Sequence, residues 1–145
     1  MPKYIAEQLK RFNYLTSEID SVYHEAAFRL GISDSVMQIL YAVCNKEGEC
    51  PINFIVSMLG IKKQTVNSAL RKLENENIVC LKPIDGKNKA VCFTEKGAEF
   101  ALATVGRIIE IENKIFDSWI PDERADYLRL TQKYLTSLKE KVERL

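Results

Sequence analysis

The spacing of apolar residues along the chain predicts a mainly helical protein. Between residues 3 and 30, apolar side chains recur at steps of three and four, which is the period of one face of a long helix. Gly31 ends that helix, because glycine readily adopts the left-handed conformation found beyond helix ends. Ser33 is the predicted N-cap of a second helix, whose apolar stripe runs from Val36 to Cys44.

The next segment has the pattern of a helix-turn-helix. Pro51 suits the first position of a short helix, where its missing N–H would have had no partner, and Gly60 ends that helix. A fourth helix is predicted over residues 63–76. Only Gly60, Ile61 and Lys62 separate the two helices, and a short turn containing glycine is typical of this motif.

A β-hairpin is predicted after the fourth helix, because residues 78–81 and 89–93 favour strands and flank the turn signal Asp85-Gly86. Two helices follow, one capped by Thr94 and running to about residue 117, and one running from Pro121 to the C-terminus. A helix-turn-helix followed by a hairpin is a winged helix. The fold class is therefore mainly α with a small β-hairpin wing and long helices at both chain ends.

The fourth helix divides into an apolar face and a polar face. The apolar face carries Val66, Ala69, Leu70 and Leu73. The polar face carries Gln64, Asn67, Ser68 and Arg71. Glutamine and asparagine can pair with adenine, arginine with guanine, and serine with bases or phosphates. A merely solvated face is the alternative, but the position of this helix, second in the motif and before a hairpin, favours nucleic acid.

Basic residues flank this polar face. Lys62 and Lys63 begin the helix, where N–H groups already favour phosphate. Lys82, Lys87 and Lys89 surround the hairpin turn and can meet phosphates or the minor groove, although lysines there also discourage edge pairing. The predicted DNA-contacting residues are Lys62, Lys63, Gln64, Thr65, Asn67, Ser68, Arg71, Lys82, Lys87 and Lys89.

Overall charge conceals this basic region. The 145-residue chain has 21 Lys and Arg against 20 Asp and Glu, a formal charge of +1. Residues 62–93 hold seven basic and three acidic residues, a net +4, and the rest holds 14 against 17, a net −3. No apolar run approaches the roughly 20 residues that cross a bilayer, and the start lacks a secretory signal, so a cytoplasmic protein without membrane contact is expected.

The four cysteines are expected to be thiols. No Cys-x-x-Cys occurs and His24 is the sole histidine, so we expect no metal and no cofactor. Enzyme motifs are also lacking, so no catalytic residue is predicted. Cys80 and Cys92 would face each other in a hairpin centred on Gly86, whereas a two-residue Asp85-Gly86 turn would put them on opposite faces. Apolar packing is their expected role, and oxidation sensing is the alternative.

Five segments together resemble the MarR family of bacterial winged helix-turn-helix transcription regulators, over essentially the whole chain. They are residues 59–66, Leu73-Glu74, Ile78-Val79, Asp85-Gly86-Lys87 and Phe93-Thr94-Glu95-Lys96-Gly97. The resemblance implies an obligate homodimer with interlocked terminal helices on a palindromic DNA operator. It also implies transcription regulation, usually repression, with release by a small molecule or by cysteine oxidation.

Three positions depart from the family pattern. Lys87 stands where arginine is usual and lacks the planar guanidinium, so weaker minor-groove specificity is expected. Asn77 replaces a glycine, and asparagine is the next-best residue for a left-handed position. Phe54 replaces a polar residue, either as a packing change or as part of a ligand pocket.

The terminal helices support a dimer, because long amphipathic helices outside a small winged domain need a partner surface. In the last helix the apolar residues are Leu128, Leu135, Leu138, Val142 and Leu145. The predicted division is 1–31, an N-terminal dimerisation helix; 32–94, the winged helix-turn-helix; and 95–145, the C-terminal dimerisation helices.

A small aromatic or amphipathic ligand is a further expectation from the family. Tyr14, Tyr23, His24, Phe28 and Tyr41 are its candidate contacts, although aromatic residues at helical spacing are usually core. The predicted function is sequence-specific DNA binding by a homodimeric regulator, most often a repressor in this family. The alternative is a winged-helix protein-interaction module without DNA binding, which the lack of acidic residues on the polar face disfavours.

Overall fold

The computed structural model describes residues 3–145, and within them it has seven helices and a three-stranded antiparallel sheet. The helices are α1 Glu7–Arg29, α2 Asp34–Asn45, α3 Ile52–Leu59, α4 Lys63–Asn75, α5 Glu95–Ala103, α6 Val105–Ser118 and α7 Pro121–Val142. The strands are β1 Glu49–Pro51, β2 Val79–Asp85 and β3 Asn88–Phe93, in the order β1-β3-β2. The predicted fold class, mainly α with a hairpin wing, is confirmed.

The chain forms two compact units. The first ends at Ile108 and contains the helix-turn-helix of α3 and α4, the sheet, and helices α1, α2 and α5. The second is Ile109–Leu145 and contains most of α6 and all of α7. None of the helices in the part of the chain that is described is long and apolar enough to cross a membrane.

The core of the first unit joins the helix-turn-helix to the sheet. Its largest fully buried side chains are Ile39, Leu40 and Val43 of α2, Ile55 of α3, Val66 and Leu73 of α4, Val79 and Val91 of the sheet, and Val105 of α6. Burying each side chain of this size contributes about 1.5–3 kcal/mol relative to leaving it in water. Because α4 and both hairpin strands share this core, the positions of α4 and the hairpin are fixed within one unit.

The predicted helix caps are present. The Val36 N–H donates to Ser33 Oγ at 3.2 Å, and the Gly97 N–H donates to Thr94 Oγ1 at 2.9 Å. Gly60 follows α3 with φ +61°, the left-handed conformation that glycine adopts at little cost. The ends of these helices are thus set by local residues, as the sequence indicates.

Pro51 does not begin the third helix as predicted. It is the last residue of β1 and the N-cap of α3, with φ −59° and ψ 136°, so the helix starts one residue later. β1 itself was not predicted from the sequence. Its three residues pair with β3, with Cys50 opposite Val91, and a strand this short shows no periodicity of its own.

The single helix predicted from Thr94 to residue 117 is broken at Thr104. That residue has φ −118° and ψ −94° and separates α5 from α6. Its Oγ1 donates to the Phe100 carbonyl oxygen at 2.7 Å, and this type of hydrogen bond to the preceding turn bends helices. The hydroxyl therefore has its partner although Thr104 is buried.

Three aromatic rings pack together in the second unit. The centroid of Trp119 lies 5.0 Å from that of Phe116 and 5.4 Å from that of Tyr127, which joins the end of α6 to the start of α7. Arg124 Nη1 donates to the carbonyl oxygens of Phe116 and Trp119 at 2.8 and 2.5 Å. Pro121 occupies the first position of α7, as predicted.

Candidate nucleic-acid interface

The two faces of α4 are as predicted. Val66, Leu70 and Leu73 are buried, whereas Gln64, Thr65, Ser68 and Arg71 are exposed and Asn67 is half-buried. The polar face of α4 (Gln64, Asn67, Ser68 and Arg71) is therefore presented on the surface of the first unit. One of its groups already has a partner, because Ser68 Oγ donates to the Gln64 carbonyl oxygen at 3.0 Å.

The first turn of α4 has no side-chain cap, and its Thr65 N–H donates to the Lys62 carbonyl oxygen at 2.9 Å. Lys62 is the N-cap residue, and its ammonium group has no acceptor to offer the first N–H groups of the helix. The first N–H groups of any helix lack an intrahelical partner and attract negative charge. Lys62 and Lys63 are both exposed, so two positive charges lie beside those groups.

The wing (β2, β3 and the turn between them) has its tip one residue later than predicted. Asp85 pairs with Asn88, so Gly86 and Lys87 form the turn, with φ +52° at Gly86. The register shifts between Pro83 and Asp85, which leaves one more residue on β2 than on β3. The effect is to place Lys87 at the exposed tip of the wing.

The two other wing lysines differ in their surroundings. Lys82 Nζ lies 3.6 Å from Glu49 Oε1, so an acidic side chain of β1 offsets part of its charge. Lys89 lines a cavity of about 250 Å³ between α4 and the wing. Its full lining is Ile52, Asn67, Leu70, Arg71, Glu74, Leu81 and Lys89.

Two acidic residues on this surface were missed from the sequence. Glu74 lines the same cavity as Arg71, and its position three residues further on extends the polar face of α4 by one turn. The period of the helix could have revealed it, and the extended polar face therefore carries an acidic residue, contrary to the expectation from the sequence. Glu49 could not have been found that way, because its approach to Lys82 depends on the pairing of β1 with β3.

The junction between α4 and the wing is held by the start of α5. Asn77 has φ +59°, which confirms the left-handed position expected where the family has glycine. Its carbonyl oxygen accepts a hydrogen bond from Thr94 Oγ1 at 2.6 Å, and the Glu76 carbonyl oxygen accepts one from Lys96 Nζ at 2.9 Å. These contacts fix the direction in which the chain leaves α4.

The other candidate residues lie elsewhere in the first unit. Phe54 packs against the core, and Lys46 Nζ stands 4.3 Å from its ring centroid, which favours the packing explanation for this position. Four proposed ligand contacts are exposed on α1, namely Tyr14, Tyr23, His24 and Phe28, and Tyr41 is partly buried against the core. Tyr14 and His24 are about 15 Å apart along the helix axis, so a shared ligand pocket remains a prediction.

Within residues 3–145, no group of three or more His, Cys, Asp or Glu side chains is placed to hold a metal ion. The partner of His24 is a single carboxylate: its Nδ1 lies 2.7 Å from Asp34 Oδ2, in an exposed pair that joins α1 to the start of α2.

Comparison with known proteins agrees with this architecture. The MarR family model matches residues 30–86, which include the helix-turn-helix and β2. A comparison with curated proteins found no match. The resemblance to the MarR family predicted from the sequence is therefore confirmed.

Solved structures extend the likeness beyond the matched segment. NMB1585, a MarR family regulator from Neisseria meningitidis, has a TM-score of 0.75 at 18% identity, over 94% of this chain and 96% of its own. S. aureus MepR in its DNA-binding conformation has a TM-score of 0.74 at 19% identity, over 92% of this chain and 99% of its own. The S. aureus MepR–DNA complex has a TM-score of 0.65 at 20% identity, over 94% of this chain and 99% of its own. At these identities, the comparison establishes the fold.

Proposed function

We propose that this chain is a DNA-binding transcription regulator that acts as a homodimer. Its MarR-type fold and its match to the family model over residues 30–86 support this function. In this proposal it is a repressor in the cytoplasm and not an enzyme. The observation that carries the proposal is the exposed polar face of α4 beside a basic wing in the same unit. DNA in complex with MepR, a protein of the same fold, supports duplex DNA as the partner.

In this proposal α4 enters the major groove of the operator. Gln64, Asn67 and Arg71 offer the two-pronged hydrogen bonds that distinguish bases, and Lys62 and Lys63 neutralise phosphates at the start of the helix. Glu74, at the far end of the polar face, can accept a hydrogen bond from cytosine N4. A dimer would place two such helices on half-sites about one helical turn (~10 bp) apart.

Removing the charge at the wing tip should weaken binding to every duplex alike. Lys87 lies in the turn at the exposed tip, and a lysine there supplies charge without the fork that reads bases. For Lys87→Ala we expect weaker binding to operator and unrelated DNA by the same factor, with the slope of log K against log salt reduced by about one. Fluorescence anisotropy across a salt series measures both. A loss confined to the operator would contradict this role.

The dimer is supported by apolar surface in each unit. Leu9, Ile19 and Val22 are exposed along α1, and Leu128, Leu135, Leu138 and Val142 are exposed along α7. Rows of exposed apolar side chains on long helices mark a protein contact, and a second copy of the chain supplies a matching surface.

Placing a charge on the α7 row should separate the dimer. In sedimentation equilibrium at micromolar concentration we expect twice the chain mass of 16.6 kDa, and a shift toward the monomer for Leu135→Glu. Ser137→Glu adds the same charge on an exposed polar position of α7 about 160° around the helix from Leu135, and should leave the dimer intact. A monomeric wild-type protein would remove the paired-helix geometry from the proposal.

Release by a small aromatic or amphipathic ligand completes the proposal. Its support is the resemblance to the family together with the exposed aromatic side chains of α1, of which Phe28 is 81% exposed. An inducer screen against the protein–operator complex tests this part separately from DNA binding.

If the purified protein binds no duplex at all, that result favours the alternative function, a winged-helix protein-interaction module.

A further inference from the structure

Two cysteines face each other across the wing. Cys80 on β2 is directly opposite Cys92 on β3, in a register that centres this part of the hairpin on Gly86. Of the two registers left open by the sequence, the structure therefore has the one in which the side chains share a face. Cys80 is exposed and Cys92 is half-buried, so they are not a pair of fully packed core residues.

The type of strand pairing gives the spacing of the two residues. The Thr94 N–H donates to the Ile78 carbonyl oxygen at 3.2 Å, so Ile78 and Thr94 are a hydrogen-bonded pair of the antiparallel strands. Hydrogen-bonded and non-hydrogen-bonded pairs alternate along antiparallel strands. Cys80 and Cys92 lie two residues further along and are therefore also a hydrogen-bonded pair. Their Cα atoms are thus about 5.5 Å apart, within the roughly 4.4–6.8 Å that disulfides span.

The neighbours of the pair distinguish its two thiols. Burial, the Glu49 carboxylate and the adjacent Cys80 all raise the pKa of the Cys92 thiol, whereas Lys82 lowers it. Cys80 is the more exposed of the two, so an oxidant in solution reaches it first. Lys82 lies two residues beyond Cys80 on the same face of β2.

We propose that Cys80 and Cys92 form a disulfide on reaction with a hydroperoxide, and that this bond releases the wing from DNA. The Cys80 thiolate attacks the peroxide, the O–O bond breaks, and Cys80 becomes a sulfenic acid as water or an alcohol leaves. The Cys92 sulfur then attacks the Cys80 sulfur, the S–S bond forms, and the hydroxyl leaves as water with the remaining proton. Two thiols are oxidised and one peroxide is reduced.

The bond alters the wing because it draws the strands together. Facing side chains in a sheet have Cβ atoms about 4.5–5.5 Å apart, whereas a disulfide holds them at about 3.8 Å. The local change in twist moves Lys82 relative to Lys87 at the tip. The proposed loss of DNA affinity rests on the proposed function, but formation of the disulfide does not.

Peptide mapping of the 145-residue chain tests the disulfide first. After mild hydrogen peroxide treatment and alkylation, trypsin should release peptides 73–87 and 90–96 joined by one disulfide, because Lys82 precedes a proline and is not cleaved. The cross-linked pair should separate on reduction and be absent from Cys80→Ser and Cys92→Ser. Cys44→Ser, at a half-buried cysteine of α2, is the matched control and should still form it. Disulfides between chains, or a link through Cys44 or Cys50, would overturn the proposal.

Operator binding of the same samples tests the consequence. Reduced wild-type protein must bind first, because failure at that step removes the proposed function and leaves the disulfide result standing. We then expect a several-fold loss of affinity on oxidation, reversed by a thiol reductant and absent from Cys80→Ser, Cys92→Ser and the double variant. Full affinity in the oxidised, cross-linked protein would show that the bond does not control DNA binding.

Discussion

Replacing Gly97 by alanine should destabilise the protein by about 3 kcal/mol or more, the upper end of the range for overpacked sites. A Cβ atom at this position would lie 1.7 Å from the carbonyl oxygen and 2.7 Å from the carbonyl carbon of Ile78. Ile78 cannot move aside freely, because its oxygen accepts a hydrogen bond from the Thr94 N–H. The close approach of α5 to the segment between α4 and β2 therefore requires glycine.

Urea denaturation measures this effect as the free energy of unfolding. Glu99→Ala is the matched control, since it changes an exposed residue two positions further along α5 and should alter stability by no more than about 0.5 kcal/mol. A Gly97→Ala variant as stable as the wild type would mean that α5 and Ile78 are further apart than the structure places them.

The largest effect on function is expected from Arg71→Ala. Arg71 is exposed on the polar face of α4, where its guanidinium can pair with O6 and N7 of a guanine. Loss of that pair should cost roughly 1–3 kcal/mol, or about 5- to 150-fold in operator affinity, and relax the preference at one base position. Affinity for unrelated duplexes should fall much less.

Lys72→Ala separates base reading from charge. It removes the same unit charge from the adjacent exposed position of α4, at the edge of the polar face one turn beyond Ser68. Anisotropy titrations with operator and scrambled duplexes should show a large operator-specific loss for Arg71→Ala and a small uniform loss for Lys72→Ala. Equal losses in the two variants would mean that Arg71 contributes charge alone.

Features set by neighbouring residues could be predicted from the sequence. The two faces of α4 follow from its helical period, and the caps at Ser33 and Thr94 need only a hydroxyl three residues before an N–H group. The left-handed conformation of Asn77 was an expectation from the family resemblance, since the family has glycine there and asparagine is the next-best residue for it.

Features set by residues far apart in the chain could not. β1 forms because Glu49–Pro51 pair with β3, some 40 residues further along the chain. Three residues are too few to show the alternating pattern of a strand. The cysteine register depends on the shift between Pro83 and Asp85, which moves the turn by one residue relative to the Asp-Gly signal. The break between α5 and α6 lies at Thr104, whose hydroxyl donates to the Phe100 carbonyl oxygen in the preceding turn. The spacing of apolar residues carries no information about such a side-chain hydrogen bond.

Operator selection from random duplexes with the purified, reduced protein tests the central claim most directly. If α4 reads bases and the protein acts as a homodimer, the selected sequences should converge on a palindrome with half-sites about one helical turn (~10 bp) apart. Arg71→Ala should then lose one conserved position in each half. Recovery of random sequences, or of a single unpaired half-site, would contradict a dimeric, sequence-reading regulator.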